Sequence, residues 1–214
     1  MKAQQPPTDC SLCPRLVDFR NENRRQYPDY HNAPVAAFGP DSAQMLILGL
    51  APGLKGANCT GRPFTGDYAG DLLYATLKKF NLAEGDYGKR PDDGLTLRKC
   101  RIVNAVRCVP PANKPTPEEI RTCNGFLASE LESLRQLRVV VALGRVAHDA
   151  LLMACGLKRS HFRFGHALIH DLPNGLQLVD SYHCSRYNTN TGRLTETMFH
   201  DVFAKAQNRL SEKA

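Results

Sequence analysis

The stretch Met45–Leu82, MLILGLAPGLKGANCTGRPFTGDYAGDLLYATLKKFNL, sets the fold class of this chain. It opens with an apolar run, Met45–Leu50, which reads as a buried strand. It closes with Asp71–Leu82, whose apolar positions recur at roughly helical spacing. Between them, six of the chain's sixteen glycines fall within Gly49–Gly70. A strand, a glycine-rich loop and a helix in that order let a ligand approach bare backbone with amide N–H groups pointing at it. The glycine spacing matches neither the dinucleotide fingerprint nor the phosphate-binding P-loop. Taken alone, the loop also reads as a plain long turn.

The same unit recurs downstream. Cys100–Val106, Leu137–Leu143 and Leu176–Tyr182 read as three further strands, each nearly continuous in apolar residues. Thr116-Pro117-Glu118-Glu119 is a helix start, with Thr116 as N-cap, Pro117 at the first position and Glu119 completing a capping box. That helix runs to about Leu134, another from Gly144-Arg145 to about Cys155, and a last one over Thr195–Leu210. Tyr27–Asp41 reads as a connector, Asn81–Thr96 as a surface excursion, and Ser160–His170 as either a strand or part of a loop near DNA. The order predicts an α/β fold, a three-layer α/β/α sandwich with a central, largely parallel four-stranded sheet. Residues 1–214 are expected to form one domain, with 1–30 as an N-terminal arm. Ligands of such sheets gather at the carboxyl ends of the strands. The glycine loop, Asn104 and His183 each follow or end a predicted strand, so the fold would bring them together.

Composition narrows the partners. The formal charge is +7 and the pI about 9.1, which favours a polyanion. No apolar run reaches membrane-spanning length, and MKAQQPPTDC has no apolar signal core, so a cytoplasmic protein without membrane contact is expected, with a monomer as the default. Eight cysteines in such a chain are thiols or metal ligands rather than a disulfide scaffold. Cys59, Cys100, Cys155 and Cys184 stand alone and read as small buried hydrophobes. Cys10 and Cys13 form a C-x-x-C, and Cys108 and Cys123 form a second pair with 14 residues between them. Four thiolates suit zinc or an iron–sulfur cluster, and spacing alone does not choose. The arginines of Arg15–Arg25 read as a solvated helix face, with a DNA-backbone contact as the alternative.

An Asn at a strand end presents a donor and an acceptor on one planar amide, which suits a pyrimidine edge offering N3–H and O4. Asn104 is so placed, four residues before Cys108. GLAPG (49–53), GAN (56–58) and TGRPFTGD (60–67) resemble the first motif of the uracil-DNA glycosylase superfamily, and the family 5 branch most closely. HCSRYNTNTGRLT (183–195) is similar to that branch's third motif, with Cys184 where the family has proline. That exchange removes a fixed φ and would loosen the loop. The order of the cysteines also resembles the family, and the resemblance implies a [4Fe-4S] cluster on Cys10, Cys13, Cys108 and Cys123 that ties the arm to the domain.

The resemblance further implies a DNA-repair enzyme that flips uracil, and other deaminated bases such as hypoxanthine, out of duplex or single-stranded DNA and hydrolyses the N-glycosidic bond. Gly49, Ala51, Pro52 and Gly53 would line the base pocket, Phe64 would stack on the base and Asn104 would read its edge. His183 would stabilise charge growing on uracil O2. Ala51 stands where other branches place a water-positioning Asp or Asn, which leaves Asn58 and Asp67 as candidates for that task. Ser185, Arg186 and Tyr187 would meet the DNA strand. Two other readings stay open at this stage: a non-catalytic iron–sulfur protein that binds nucleic acid, and a zinc-bearing hydrolase of small nucleotides. Protein colour separates cluster from zinc.

Overall fold

The structure is a computed structural model, and it describes residues 2–211. In chain order its elements are α1 (Pro14–Gln26), β1 (Met45–Gly49), α2 (Ala57–Thr60), α3 (Tyr68–Lys79), β2 (Ala83–Glu84), β3 (Thr96–Leu97), β4 (Cys100–Asn104), α4 (Pro117–Ser133), β5 (Val139–Leu143), α5 (Arg145–Ala154), β6 (Ile169–Asp171), β7 (Gln177–Ser181), α6 (Arg186–Asn190) and α7 (Glu196–Ser211).

The main sheet has the order β4-β1-β5-β7-β6. Its first four strands pair in parallel, and β6 lies antiparallel on β7. The three-layer α/β/α sandwich therefore stands, with one correction: the sheet has five strands rather than four. The added edge strand, Ile169–Asp171, overlaps the end of the Ser160–His170 segment, and three residues are too few for an alternation to register.

Every residue of β1 and β5 is buried. Successive side chains point to opposite faces, so each strand feeds two cores. Met45 and Ile47 pack with Val139 and Val141 beneath α3 and α7, while Leu46 and Leu48 pack with Val140 and Ala142 beneath α4 and α5. Burying each such side chain contributes about 1.5–3 kcal/mol, so the sheet is a firm platform for groups at its rim. From β1 the chain passes to β4 on one side and to β5 on the other. The strand order reverses there, and a crevice opens at the carboxyl end of β1.

Local chemistry sets the element ends. Thr116 Oγ1 accepts from the Glu119 N–H at 3.2 Å and Glu119 Oε2 accepts from the Thr116 N–H at 2.7 Å, completing the expected capping box. Helix α3 begins at Tyr68, three residues before the expected start, because Asp67 serves as its N-cap and accepts from the Gly70 N–H at 3.1 Å.

Two segments read as solvent-facing are tied down. In the Asn81–Thr96 excursion the buried Asp93 carboxylate meets the buried Arg62 guanidinium at 2.8 and 2.7 Å, and Arg62 Nε reaches Thr65 Oγ1 at 2.7 Å. Among the arginines of α1, Arg20 turns inward, while Arg15 and Arg25 stay exposed. Arg15 forks onto Glu119 at 2.8 and 2.7 Å, Arg24 pairs with Asp9, and Arg20 is buried with its Nη2 donating to the Cys10 carbonyl. The expected solvated face holds for Arg15 and Arg25, while Arg20 departs from it, and the bonds of Arg15 and Arg20 fasten α1 to α4 and to the cysteines. No helix among the described residues is long and apolar enough to cross a membrane.

Candidate active site

The glycine loop, the end of β4 and the loop after β7 converge at the crevice. In the β1–β4 ladder Gly49 lies directly opposite Asn104. A Cβ on Gly49 would collide with the Asn104 amide oxygen and come within 2.6 Å of Phe64 Cζ. Glycine is therefore what lets that amide and that ring meet. Phe64 sits in the left-handed region at φ 55°, a strained setting for a bulky residue. Gly70 holds it there, since any side chain at position 70 would occupy the place of the Phe64 carbonyl oxygen. Asn104 is 3% exposed, and its Oδ1 is buried without a hydrogen-bond partner. Such an orphan costs about 1–3 kcal/mol, so it marks a place where a donor is missing.

Next to this group, and not lined by Gly49, Phe64 or Asn104, opens a pocket of about 380 Å3, which the Phe64 ring meets through His183. Ala51 and Gly53 line it from the glycine loop, Asp67 from the α3 cap, and His183, Ser185 and Arg186 from the loop after β7. The Phe64 and His183 rings face each other at 6.0 Å, 25° from parallel. Burial holds the His183 imidazole down at about 4, so it is neutral near pH 7 and keeps one N–H to donate. Burial pushes the Asp67 carboxyl up, and its cap bond to Gly70 offsets this only in part. Its Oδ2 packs on Gly56, where a Cβ would lie 2.5 Å away.

The remaining candidates are placed differently. Pro52 is buried in the loop and does not line the pocket. Asn58 is 1% exposed and spends its amide on Asn32 Oδ1 at 2.9 Å, so its side chain braces the loop and does not line the pocket. Ser185 caps α6, Arg186 Cζ lies 5.2 Å from the centroid of the Tyr68 ring, and Tyr187 is 72% exposed. Cys184 does not loosen its loop: it is fully buried, and its thiol donates to the Ala69 carbonyl at 3.5 Å. Asn113 also lines the pocket, and the sequence reading missed it. Its signal was faint: an Asn between prolines, which with Ala112 takes two successive left-handed residues at φ 53° and 55°.

Behind Ala51 the four expected thiols meet. Cys10, Cys13, Cys108 and Cys123 share one apolar cluster with Leu16, Val106 and Phe126, and Ala51 packs against it. They line a small cavity together with Arg20. Burial, reinforced by the neighbouring thiols, holds Cys13 up at about 11 and Cys108 at about 12. The Arg107 N–H points at Cys123 Sγ at 3.4 Å and Arg20 Nη1 at Cys108 Sγ at 3.9 Å, while Arg20 Nε is buried without a partner.

Comparison with known proteins agrees with this geometry. Residues 36–207 match the family described as the Uracil DNA glycosylase superfamily. The chain is 47% identical to a type-5 uracil-DNA glycosylase of Thermus thermophilus over 208 residues, covering 95% of this chain and 94% of that protein. It is 42% identical to the type-5 enzyme of Mycobacterium tuberculosis over 206 residues, with 92% and 77% covered. A type-4 uracil-DNA glycosylase of Archaeoglobus fulgidus matches at 35% over 114 residues, 53% of this chain and 49% of that one. The chain thus belongs to the uracil-DNA glycosylase superfamily, in the type-5 branch that it matches along nearly its whole length.

Proposed function

We propose that the protein is a monofunctional DNA-repair glycosylase that takes uracil flipped out of DNA and hydrolyses its N-glycosidic bond. The observation that carries this reading is the buried, unpartnered Asn104 Oδ1 beside the Phe64 ring. Oδ1 accepts from uracil N3–H, the amide Nδ2 donates to O4, and the Phe64 ring supports the flat face of the base. Cytosine presents the opposite pattern on this edge, so the amide discriminates against it.

As the C1′–N1 bond breaks, its electron pair passes to the pyrimidine and charge grows on O2. The neutral His183 N–H is the donor for that charge. Water adds to the cationic C1′, with Asp67 and Asn113 as the pocket groups available to orient it. The proton that water gives up leaves with uracil, and an abasic site remains. With Ala51 in place of a larger polar residue, the pocket also has room for hypoxanthine and other deaminated bases. Ser185, Arg186 and Tyr187 meet the strand at the mouth. Duplex and single-stranded DNA both satisfy this geometry once the base is out, and a single chain supplies every group, so the acting unit is a monomer. We place it with the DNA of the cytoplasm, where its free thiols stay reduced.

For the thiols we propose a [4Fe-4S] cluster. Four gathered thiols suit zinc as well as iron, and the preference for the cluster follows the order of the cysteines, which resembles that of the type-5 branch. The unpartnered Arg20 Nε and the Arg107 N–H are the donors available to sulfide and thiolate. The cluster's contribution would be structural, a crosslink of the arm to β4 and α4 behind the pocket wall. A merely nucleic-acid-binding protein would have no use for an orphaned Asn104.

The test is a strand-nicking assay on a labelled duplex with one U·G pair, alkali-treated after incubation, with His183→Ala and Asn104→Asp in parallel. Cleavage only after alkali, lost in His183→Ala, is the expected result. An intact strand with folded, brown protein, on uracil and on hypoxanthine, would overturn the reading.

A further inference from the structure

The connection between α5 and β6, residues 155–168, has a composition the pocket does not explain. It carries Lys158, Arg159, His161, Arg163 and His166 and no acidic residue. Lys158, Arg159, His161 and Arg163 are exposed, while Phe162 and Phe164 are half-buried. Its only regular structure is one 3-10 turn at Arg159–His161. A segment of this length without strand or helix pairing needs another source of order.

The source is a buried charged pair. His148 on α5 is 1% exposed and Asp180 on β7 is fully buried. His148 Nδ1 lies 2.8 Å from Asp180 Oδ1, and Nε2 lies 2.9 Å from the Phe162 carbonyl oxygen. Both ring nitrogens thus face acceptors. A neutral imidazole has one N–H and can serve only one of them, so the ring is an imidazolium opposite a carboxylate. Burial alone disfavours that charge, yet the Asp180 carboxylate more than restores it, and the net shift is upward. The second Asp180 oxygen accepts from the Gly165 N–H at 3.3 Å and lies 3.4 Å from His170 Nε2. One ion pair therefore holds the connection at Phe162 and again at Gly165. Ring packing reinforces it, with Phe164 5.6 Å from His148 and Phe162 5.8 Å from His170.

The anchored segment reaches toward the pocket through Tyr182, the residue before His183. Asp180 precedes His183 by three residues on the same strand exit. Phe164 and His166 pack on Tyr182, at 6.3 and 4.9 Å between ring centroids. Arg145, Lys158, Arg159 and Ser160 line a shallow surface depression in which Asp149 is the one acid. Asp149 meets Arg159 at 3.5 Å, which leaves the surface net positive.

We propose that residues 158–163, held by the His148–Asp180 pair, form a second DNA-backbone surface, which takes the phosphates of the duplex flanking the flipped nucleotide. The inference rests on the glycosylase reading for its choice of DNA as the polyanion. The surface is open and lacks a concave, apolar site for a free nucleotide, whereas spaced cations on an ordered loop suit a run of phosphates.

The experiment measures affinity for a long undamaged duplex against salt, in wild type and in the triple variant Lys158→Gln, Arg159→Gln, Arg163→Gln. Each lost phosphate contact lowers the slope of log affinity against log salt by about 0.9, so the triple variant should lose about 2–3 from it. Uracil excision under single-turnover, saturating conditions should be unchanged. Asp180→Asn, with His148→Gln as the second variant should the first fail to fold, should lose slope with every cation retained. An unchanged slope in the triple variant overturns the surface. An unchanged slope in both anchor variants overturns the role of the ion pair. Displacement by inorganic phosphate at constant ionic strength would show a single-anion site and overturn the duplex assignment. The slope is read on undamaged DNA, so failure of wild-type protein to excise uracil would count against the glycosylase reading alone.

Discussion

The base pocket and the thiol cavity share Ala51 as a wall, yet they are built on opposite principles. The pocket and the Asn104–Phe64 pair next to it keep groups unsatisfied: Asn104 Oδ1 has no partner, His183 is desolvated, and Phe64 is strained at φ 55°. The thiol cavity gathers groups remote in sequence and packs them in apolar residues, with Arg15–Glu119 and the α4 capping box fixing its outer side. Groups that must respond to a substrate are left unsatisfied, and that costs stability. Groups that hold the arm are packed and paired, and that returns it. Substitutions on the two sides should therefore be read out differently.

The largest effect is expected in the cavity. Cys108→Ser or Cys123→Ser should abolish iron content and brown colour and lower the thermal midpoint by on the order of 10–20 °C. Unchanged colour and midpoint would remove the structural role assigned to these thiols. The next tests the brace under the glycine loop. Asp93→Asn leaves the buried Arg62 guanidinium unpaired and should cost about 3–5 kcal/mol in urea unfolding. The paired Asp93 carboxyl lies well below its usual value near 3.8, chiefly through its bonds to Arg62. Its contribution is therefore complete above that value and lost as pH falls below it, and the gap between wild type and variant should close in acid.

Pocket substitutions should spare the fold. His183→Ala should slow single-turnover excision by about 10²–10³-fold with an unchanged midpoint and iron content. Because the imidazole titrates at about 4, an acid limb of the wild-type rate from this residue should lie there, not near 6.5. A limb near 6.5 that vanishes in the variant would contradict a neutral donor. The smallest effect is expected for Gly49→Ala, whose methyl would press on Asn104 and Phe64. Excision should fall about tenfold, roughly 1.4 kcal/mol, and inhibition by free uracil should weaken, while iron content stays the same.

The sequence was most informative where chemistry is local. Thr116-Pro117-Glu118-Glu119 specified its helix start through bonds within one turn. The apolar runs specified four strands, because a strand buried on both faces has no polar face to interrupt it. The cysteines and the motifs around Phe64, Asn104 and His183 pointed to a cluster and a base site by resemblance. What was not legible depended on distant partners. Nothing near Arg62 announces Asp93, nothing near Asn58 announces Asn32, and Asn113 enters the pocket only through two left-handed residues. Arg20 illustrates the same limit, since its helix reads as polar and solvated while the cysteines bury it.

The sequence by itself determined the α/β class, the identity of the strand-end groups and the set of four thiols. Those follow from periodicity, capping and residue chemistry that act within a few positions. The tertiary structure decided which groups are satisfied and which are left waiting. It gave Asn58 a partner and Asn104 none, joined His148 to Asp180, and set Ala51 between pocket and cavity. Hydrogen-bond satisfaction and desolvation are properties of the whole packed neighbourhood, so no local run of residues can state them.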